Sequence, residues 1–119
     1  MNERIYKFRV WNKEEKVMFL IGSNPNLTNY QQTIYELMQF TGLKDENGKE
    51  IYEGDIFDCI YKFDGCEIHK LVVVWNEASA RFKLKGYGIC HQPNVEKTMG
   101  DLEMLKIIGN IYENPELLN

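Results

Sequence analysis

The sequence is poor in the features that let a small protein do without a packed core or carry chemistry in a recognisable motif. It has three cysteines, Cys59, Cys66 and Cys90. An odd, sparse set does not make a disulfide framework and fits unpaired thiols in a reducing compartment. A Cys59–Cys66 bridge across a hairpin stays open as an alternative. No apolar run exceeds five residues, Val17–Ile21 being one, which excludes a membrane-spanning helix of ~20 residues. The N-terminus lacks the apolar core of a signal peptide, so a cytoplasmic location is expected. There are only two histidines, His69 and His91. There is no glycine-rich phosphate loop, nucleophile elbow or dinucleotide fingerprint. No segment repeats, and none is of low complexity.

What is present is a core. Of 119 residues, 44% are hydrophobic and 13% aromatic. A chain of this length buries roughly two-thirds of the surface its unfolded form exposes, so global disorder is excluded. Charge is uneven. The whole chain carries −4, whereas residues 68–88 hold Lys70, Arg81, Lys83 and Lys85 against Glu77 alone. A net acidic chain is not a whole-surface nucleic-acid binder, which leaves only a local basic strip to consider.

Period-two alternation dominates. In Arg4–Trp11, Tyr6, Phe8 and Val10 share one face, and Lys7, Arg9 and Trp11 the other. Asn12–Lys16 is a turn, and Val17–Ile21 a second strand, so residues 1–32 read as an N-terminal β-hairpin and loop packed on the main body. The loop is Gly22-Ser23-Asn24-Pro25-Asn26, and Thr28–Gln32 is ambiguous. Thr33–Phe40 suits a helix or a strand. Strand is favoured, because eight residues is short for a helix and no cap precedes it. Asp45-Glu46-Asn47-Gly48 is a turn, and Gly54 a sharp bend. Ile56–Phe63 and Cys66–Trp75 are strands joined by the hairpin signal Asp64-Gly65. Leu71–Trp75 reads as a central strand covered on both faces. Arg81–Lys85 alternates, Gly86–Gly100 reads as a long loop, and Leu105–Tyr112 is the last strand. Gly109 inside it signals a bulge or a close backbone approach. Asn114-Pro115-Glu116 opens a helical turn. The expectation is an all-β, β-dominated fold: a small SH3-like or partly open barrel over residues 33–119, with the hairpin and a short C-terminal helical turn.

Lys7-Phe8-Arg9-Val10-Trp11, the run Leu37–Ile56, and Ile108-Gly109-Asn110-Ile111-Tyr112-Glu113-Asn114-Pro115 with Glu116-Leu117-Leu118 resemble the three signature blocks of the YopX family of phage and prophage proteins. Asn12 stands where that family more often has Asp, a difference within a turn. The resemblance implies a phage or prophage origin and a largely β fold with a barrel-like part. It transfers no catalytic residue. The structural signature it marks is Gly42, Asp45, Gly48, Gly54, Asp55, Gly109, Asn110, Asn114 and Pro115.

Candidate chemistry is thin. Cys66-x-x-His69 with Cys90-His91 offers four soft ligands to zinc. Neighbouring residues on a strand point apart, however, and buried thiols with solvent-facing histidines explain the same residues. A cysteine nucleophile needs a base that the spacing does not place. Asp55 and Asp58 fall on opposite faces of one strand, so they do not form a carboxylate pair. No catalytic group, metal or cofactor is expected. Two binding surfaces are. Trp11, with Arg9 and Lys7, is a candidate interface anchored on the indole. Arg81, Lys83, Lys85 and Tyr87 form a candidate nucleic-acid strip through phosphate contact and stacking. The expected function is that of a non-enzymatic phage accessory module binding a host or phage protein or a second copy of itself. A nucleic-acid-associated barrel is the alternative.

Overall fold

The computed structural model describes residues 6–22, 33–63, 65–88, 96–97 and 105–118. Of the expected loop at 22–26, Gly22 ends the second strand and residues 23–26 lie outside the described residues, as do the ambiguous segment 28–32, Cys90, His91 and the thiols of Cys59 and Cys66.

Among the described residues nine strands form in chain order: β1 (Phe8–Asn12), β2 (Val17–Gly22), β3 (Tyr35–Lys44), β4 (Glu50–Tyr52), β5 (Asp55–Phe63), β6 (Cys66–Asn76), β7 (Arg81–Gly88), β8 (Glu96–Lys97) and β9 (Ile107–Asn110). A 3-10 turn over Pro115–Leu118 follows. The first sheet has the order β2-β1-β3-β4 and the second β8-β7-β6-β5-β9. All pairings are antiparallel, and the sheet curls into a half-barrel. The segment 33–40, suited to helix or strand, is strand from Tyr35: β3 pairs β1 from Phe8↔Gln39 to Asn12↔Tyr35 and continues beside β4. The hairpin is thus carried by β3 into the same sheet. The barrel core is Ile51, Phe57, Ile68, Leu71, Val73, Leu84 and Ile107, with Leu43, Phe82 and Leu105 packed on it. Ile51 and Leu43 come from the first sheet, so one core joins both.

Two expectations need correction. Leu71, Val72 and Val73 are buried as expected of a central strand, but Trp75 is 43% exposed. It is the penultimate residue of β6, two before the turn, edge-on to Phe82 at 5.0 Å. The loop expected from Gly86 begins later, because Leu71↔Gly86, Lys70↔Tyr87 and Ile68↔Gly88 prolong the β6–β7 ladder.

Asx chemistry fixes the corners. Asn12 Oδ1 accepts from Glu14 N and Glu15 N, each at 3.0 Å. Asn110 Oδ1 accepts from Tyr112 N and Glu113 N, while Asn114 Oδ1 accepts from Asn110 N at 3.1 Å. Gly109 is where that arrangement needs room. A Cβ there would lie 2.5 Å from Asn114 Oδ1, and the β5–β9 register shifts between Ile56↔Gly109 and Phe57↔Ile107.

Asp45 does most. Its Oδ1 accepts from Asn47 N and Lys49 N at 2.9 Å, closing its own turn. Its Oδ2 accepts from Ile107 N at 3.0 Å, reaching the last strand. Burial pushes the carboxyl up, but the N–H bonds from Ile107, Lys49 and Asn47 together outweigh that and hold it below its ordinary 3.8. A group lowered in the fold contributes stability above its unfolded pKa and loses it as pH falls through the folded value. Asp45→Asn should therefore cost about 2 kcal/mol at neutral pH, the range for hydrogen bonds to a charged acceptor. Denaturant titrations of both proteins should converge below about pH 3.

Candidate functional site

Of the candidate interface residues, Arg9 and Trp11 lie on β1 and Lys7 immediately precedes it; β1 has a neighbour on each side. Arg9 and Trp11 do share a face, but both are buried, as Val10 is on the other face. Arg9 is 7% exposed. Its Nη2 lies 2.7 Å from Asp55 Oδ1 and donates to Glu53 O at 3.0 Å. Its guanidinium sits over the Tyr52 ring, 5.0 Å from the centroid. Its Nε is buried with no hydrogen-bond partner among the described residues. Asp55 Oδ2 accepts from Tyr52 N at 2.8 Å, and Glu53 Oε1 accepts from Gln39 N at 3.0 Å. Lys7 pairs with Glu50. These contacts lash the first sheet to the β4–β5 corner.

Trp11 is corrected likewise. It is 9% exposed and stacks on Tyr112, centroids 5.9 Å apart and planes 22° apart. The indole is occupied by the chain's own C-terminal turn and is not an exposed anchor. An open groove runs beside the pair, lined by Trp11, Lys13, Lys16, Tyr112 and Glu116 among others.

The environment of this cluster is tuned by burial. Burial raises Asp55 above 3.8 despite Arg9 beside it, and raises Glu53 as well. Burial, together with Glu50, pushes the Tyr52 hydroxyl to about 12. Burial and then Glu36 and Glu53 raise Tyr112. Asp55 is held by Tyr52 N and Arg9 and Glu53 by Gln39 N, while Glu50 pairs with Lys7, so the cluster acts as a clasp. Sequence reasoning missed Tyr52, Glu53 and Tyr112 as its parts. The available signal was Asp55, an acid standing between Gly54 and the apolar Ile56-Phe57.

The basic strip is assembled as expected in its geometry. Arg81, Lys83, Lys85 and Tyr87 alternate along β7, and the register sets Lys70 of β6 opposite Tyr87. The Lys85 ammonium lies 5.3 Å from the Tyr87 ring centroid. Acid stands close by: Lys70 Nζ bonds Asp58 Oδ1 at 3.0 Å, and Glu96 is opposite Lys85 in register. Asp58 is exposed while Asp55 is 1% exposed, so the two carboxylates are separate.

A third group of exposed side chains is apolar and lies on the first sheet. Leu20 is 67%, Val17 48% and Leu37 39% exposed. Val17 and Leu37 share the face of Val10, away from Arg9 and Trp11, whereas Leu20 stands opposite Arg9. Phe19, edge-on to Tyr35 at 6.5 Å, lies on the Val10 side. β2, which contributes Val17, Phe19 and Leu20, is the terminal strand of its sheet among the described residues and carries no charged residue.

Fold and site together define a small half-barrel whose signature residues build corners and a clasp, with an apolar edge strand at one side. A family model described as YopX protein matches residues 20–119, and the chain belongs to the YopX family. Among solved structures it is similar to the crystal structure of protein EF1440 from Enterococcus faecalis. That likeness has 28% identity and a TM-score of 0.61, and it covers 98% of this chain and 100% of that one. No curated protein matches.

Proposed function

We propose that this chain is a non-enzymatic accessory protein of phage or prophage origin that works in the bacterial cytoplasm by binding protein through the β2 side of its first sheet. The observation that carries the reading is the edge position of β2, an uncharged strand presenting Val17 and Leu20. Exposed apolar edges recruit strands from partners. The non-enzymatic part rests on the clasp, whose titratable groups are engaged by one another and by backbone, with Asp55 and Arg9 sealed from solvent. YopX membership supports the origin.

The experiment is capture by the tagged chain from host lysate, with and without nuclease, beside a Leu20→Lys variant. Capture that survives nuclease and falls in the variant supports the reading. A second reading, nucleic-acid association, is favoured by the basic β7 face alone. It predicts single-stranded DNA binding that weakens steeply with salt and falls in Lys83→Glu. Such binding, with nuclease-sensitive capture, would replace the first reading.

A further inference from the structure

The backbone of β2 says more about its partner than its side chains do. Lys13 N donates to Ile34 O and Phe40 N to Lys7 O, each at 2.8 Å. Odd-numbered residues of β1 therefore turn their backbone groups to β3. Lys16 N donates to Asn12 O at 2.8 Å, so even-numbered residues of β1 turn to β2. Across that ladder Val17 faces Asn12 and Phe19 faces Val10, and both are engaged by β1. Met18 faces Trp11 and Leu20 faces Arg9. By the antiparallel alternation their N–H and C=O groups point away from β1, to an edge that no strand occupies among the described residues.

Edges are ordinarily protected by charge or proline. Val17–Gly22 has neither. The strand is, however, complementary to itself. We propose that β2 pairs antiparallel with β2 of a second copy about a two-fold axis at Phe19. Met18 then stands opposite Leu20 of the second copy and Val17 opposite Ile21, with Phe19 opposite its own equivalent. This register makes Met18 and Leu20 the hydrogen-bonded pairs, which is what their outward groups require. It brings Phe19 to the non-hydrogen-bonded site where side chains approach closest. Lys16 falls opposite Gly22, so the charged turn of each copy clears the other. An uncharged strand offers no selection for a charged foreign peptide, whereas every opposed pair from Val17 to Ile21 is apolar. Two first sheets would become one continuous sheet. The inference rests on the protein-binding reading above and names its partner.

The test is sedimentation equilibrium of the full chain over a concentration series, with hydrogen exchange at the Met18 and Leu20 amides. The parent should associate toward twice 14.1 kDa, and both amides should gain protection as it does. Leu20→Pro removes an outward donor and none that β1 uses. It should raise the dissociation constant roughly tenfold or more, because one donor is lost in each copy. Leu20→Lys is the second variant should proline unfold the hairpin, and it should weaken the pair by setting a charge opposite Met18 of the other copy and bringing the two lysines to diagonal positions across the edge. A parent that is monomeric to about 1 mM, or a dimer whose Met18 and Leu20 amides exchange freely, overturns the pairing. A monomer whose nuclease-resistant capture is lost in Leu20→Lys overturns the pairing and leaves the broader reading standing. A monomer with capture indifferent to Leu20→Lys removes both.

Discussion

Arg9→Ala should cost the fold about 3–5 kcal/mol at neutral pH, the range for breaking a buried ion pair by deleting one partner. The reason is what remains. Asp55 is 1% exposed and would keep its charge with Tyr52 N as its only remaining hydrogen-bond donor among the described contacts. Glu53 O would lose the guanidinium donor, and the Tyr52 ring its cation. The pH dependence follows from burial. Asp55 is already raised above its ordinary value with Arg9 present. Without Arg9 it rises further. A raised carboxyl favours the folded state below its unfolded pKa and ceases to do so as pH climbs through the folded value. The deficit of Arg9→Ala should therefore be greatest near pH 7 and shrink toward pH 4. Denaturant melts at several pH values check this. The double variant Arg9→Met with Asp55→Asn should recover part of the loss, since no uncompensated charge is left. A constant deficit across pH would mean that lost packing, and not the stranded charge, sets the cost.

Gly54→Val should cost about 3 kcal/mol, from backbone strain and crowding together. Gly54 has φ +85°, and a Cβ there would meet Ile111 Cγ1 at 3.3 Å and Met38 Sδ at 3.5 Å. Its N donates to Val73 O and its O accepts from Ile111 N, both at 2.9 Å, so the backbone cannot swing aside without breaking both bonds. Gly48 provides the control. It has φ +79° with nothing within 4 Å of a Cβ, and Gly48→Val should cost only the strain, about 1 kcal/mol. Equal losses in parallel denaturation curves would show that Ile111 and Met38 yield freely.

The strands were legible because their pattern is local. The alternation in Arg4–Trp11 put Arg9 and Trp11 on one face, and the register agrees. What one strand cannot reveal is that both its faces are covered, Val10 on one and Arg9 and Trp11 on the other. Charge usually marks the solvent side. Here Asp55, 46 positions later, draws Arg9 inward, and Tyr112 covers Trp11. Asp45 was readable as a turn residue. Its second oxygen, reaching Ile107, was not, because that bond depends on how the barrel closes. The basic face of β7 was readable by parity, whereas Lys70, Asp58 and Glu96 joined it only through register. The edge position of β2 is a property of strand order, which alternation within one segment does not encode.

The bond from Ile107 N to Asp45 bears on how the chain acquires its shape during synthesis. Residue 107 leaves the ribosome long after residue 45. Until it arrives, one oxygen of Asp45 lacks its amide, Asp55 lacks its neighbour Asn110, and Gly54 O lacks Ile111 N. Trp11 likewise waits for Tyr112. The early hairpin thus emerges with its inward face uncovered, and the closing contacts join segments some 50 to 100 positions apart. Topologies dominated by such distant pairings fold in roughly milliseconds to seconds. A nascent chain halted before residue 105 should remain sensitive to protease, and release of the last dozen or so residues should confer resistance in one step.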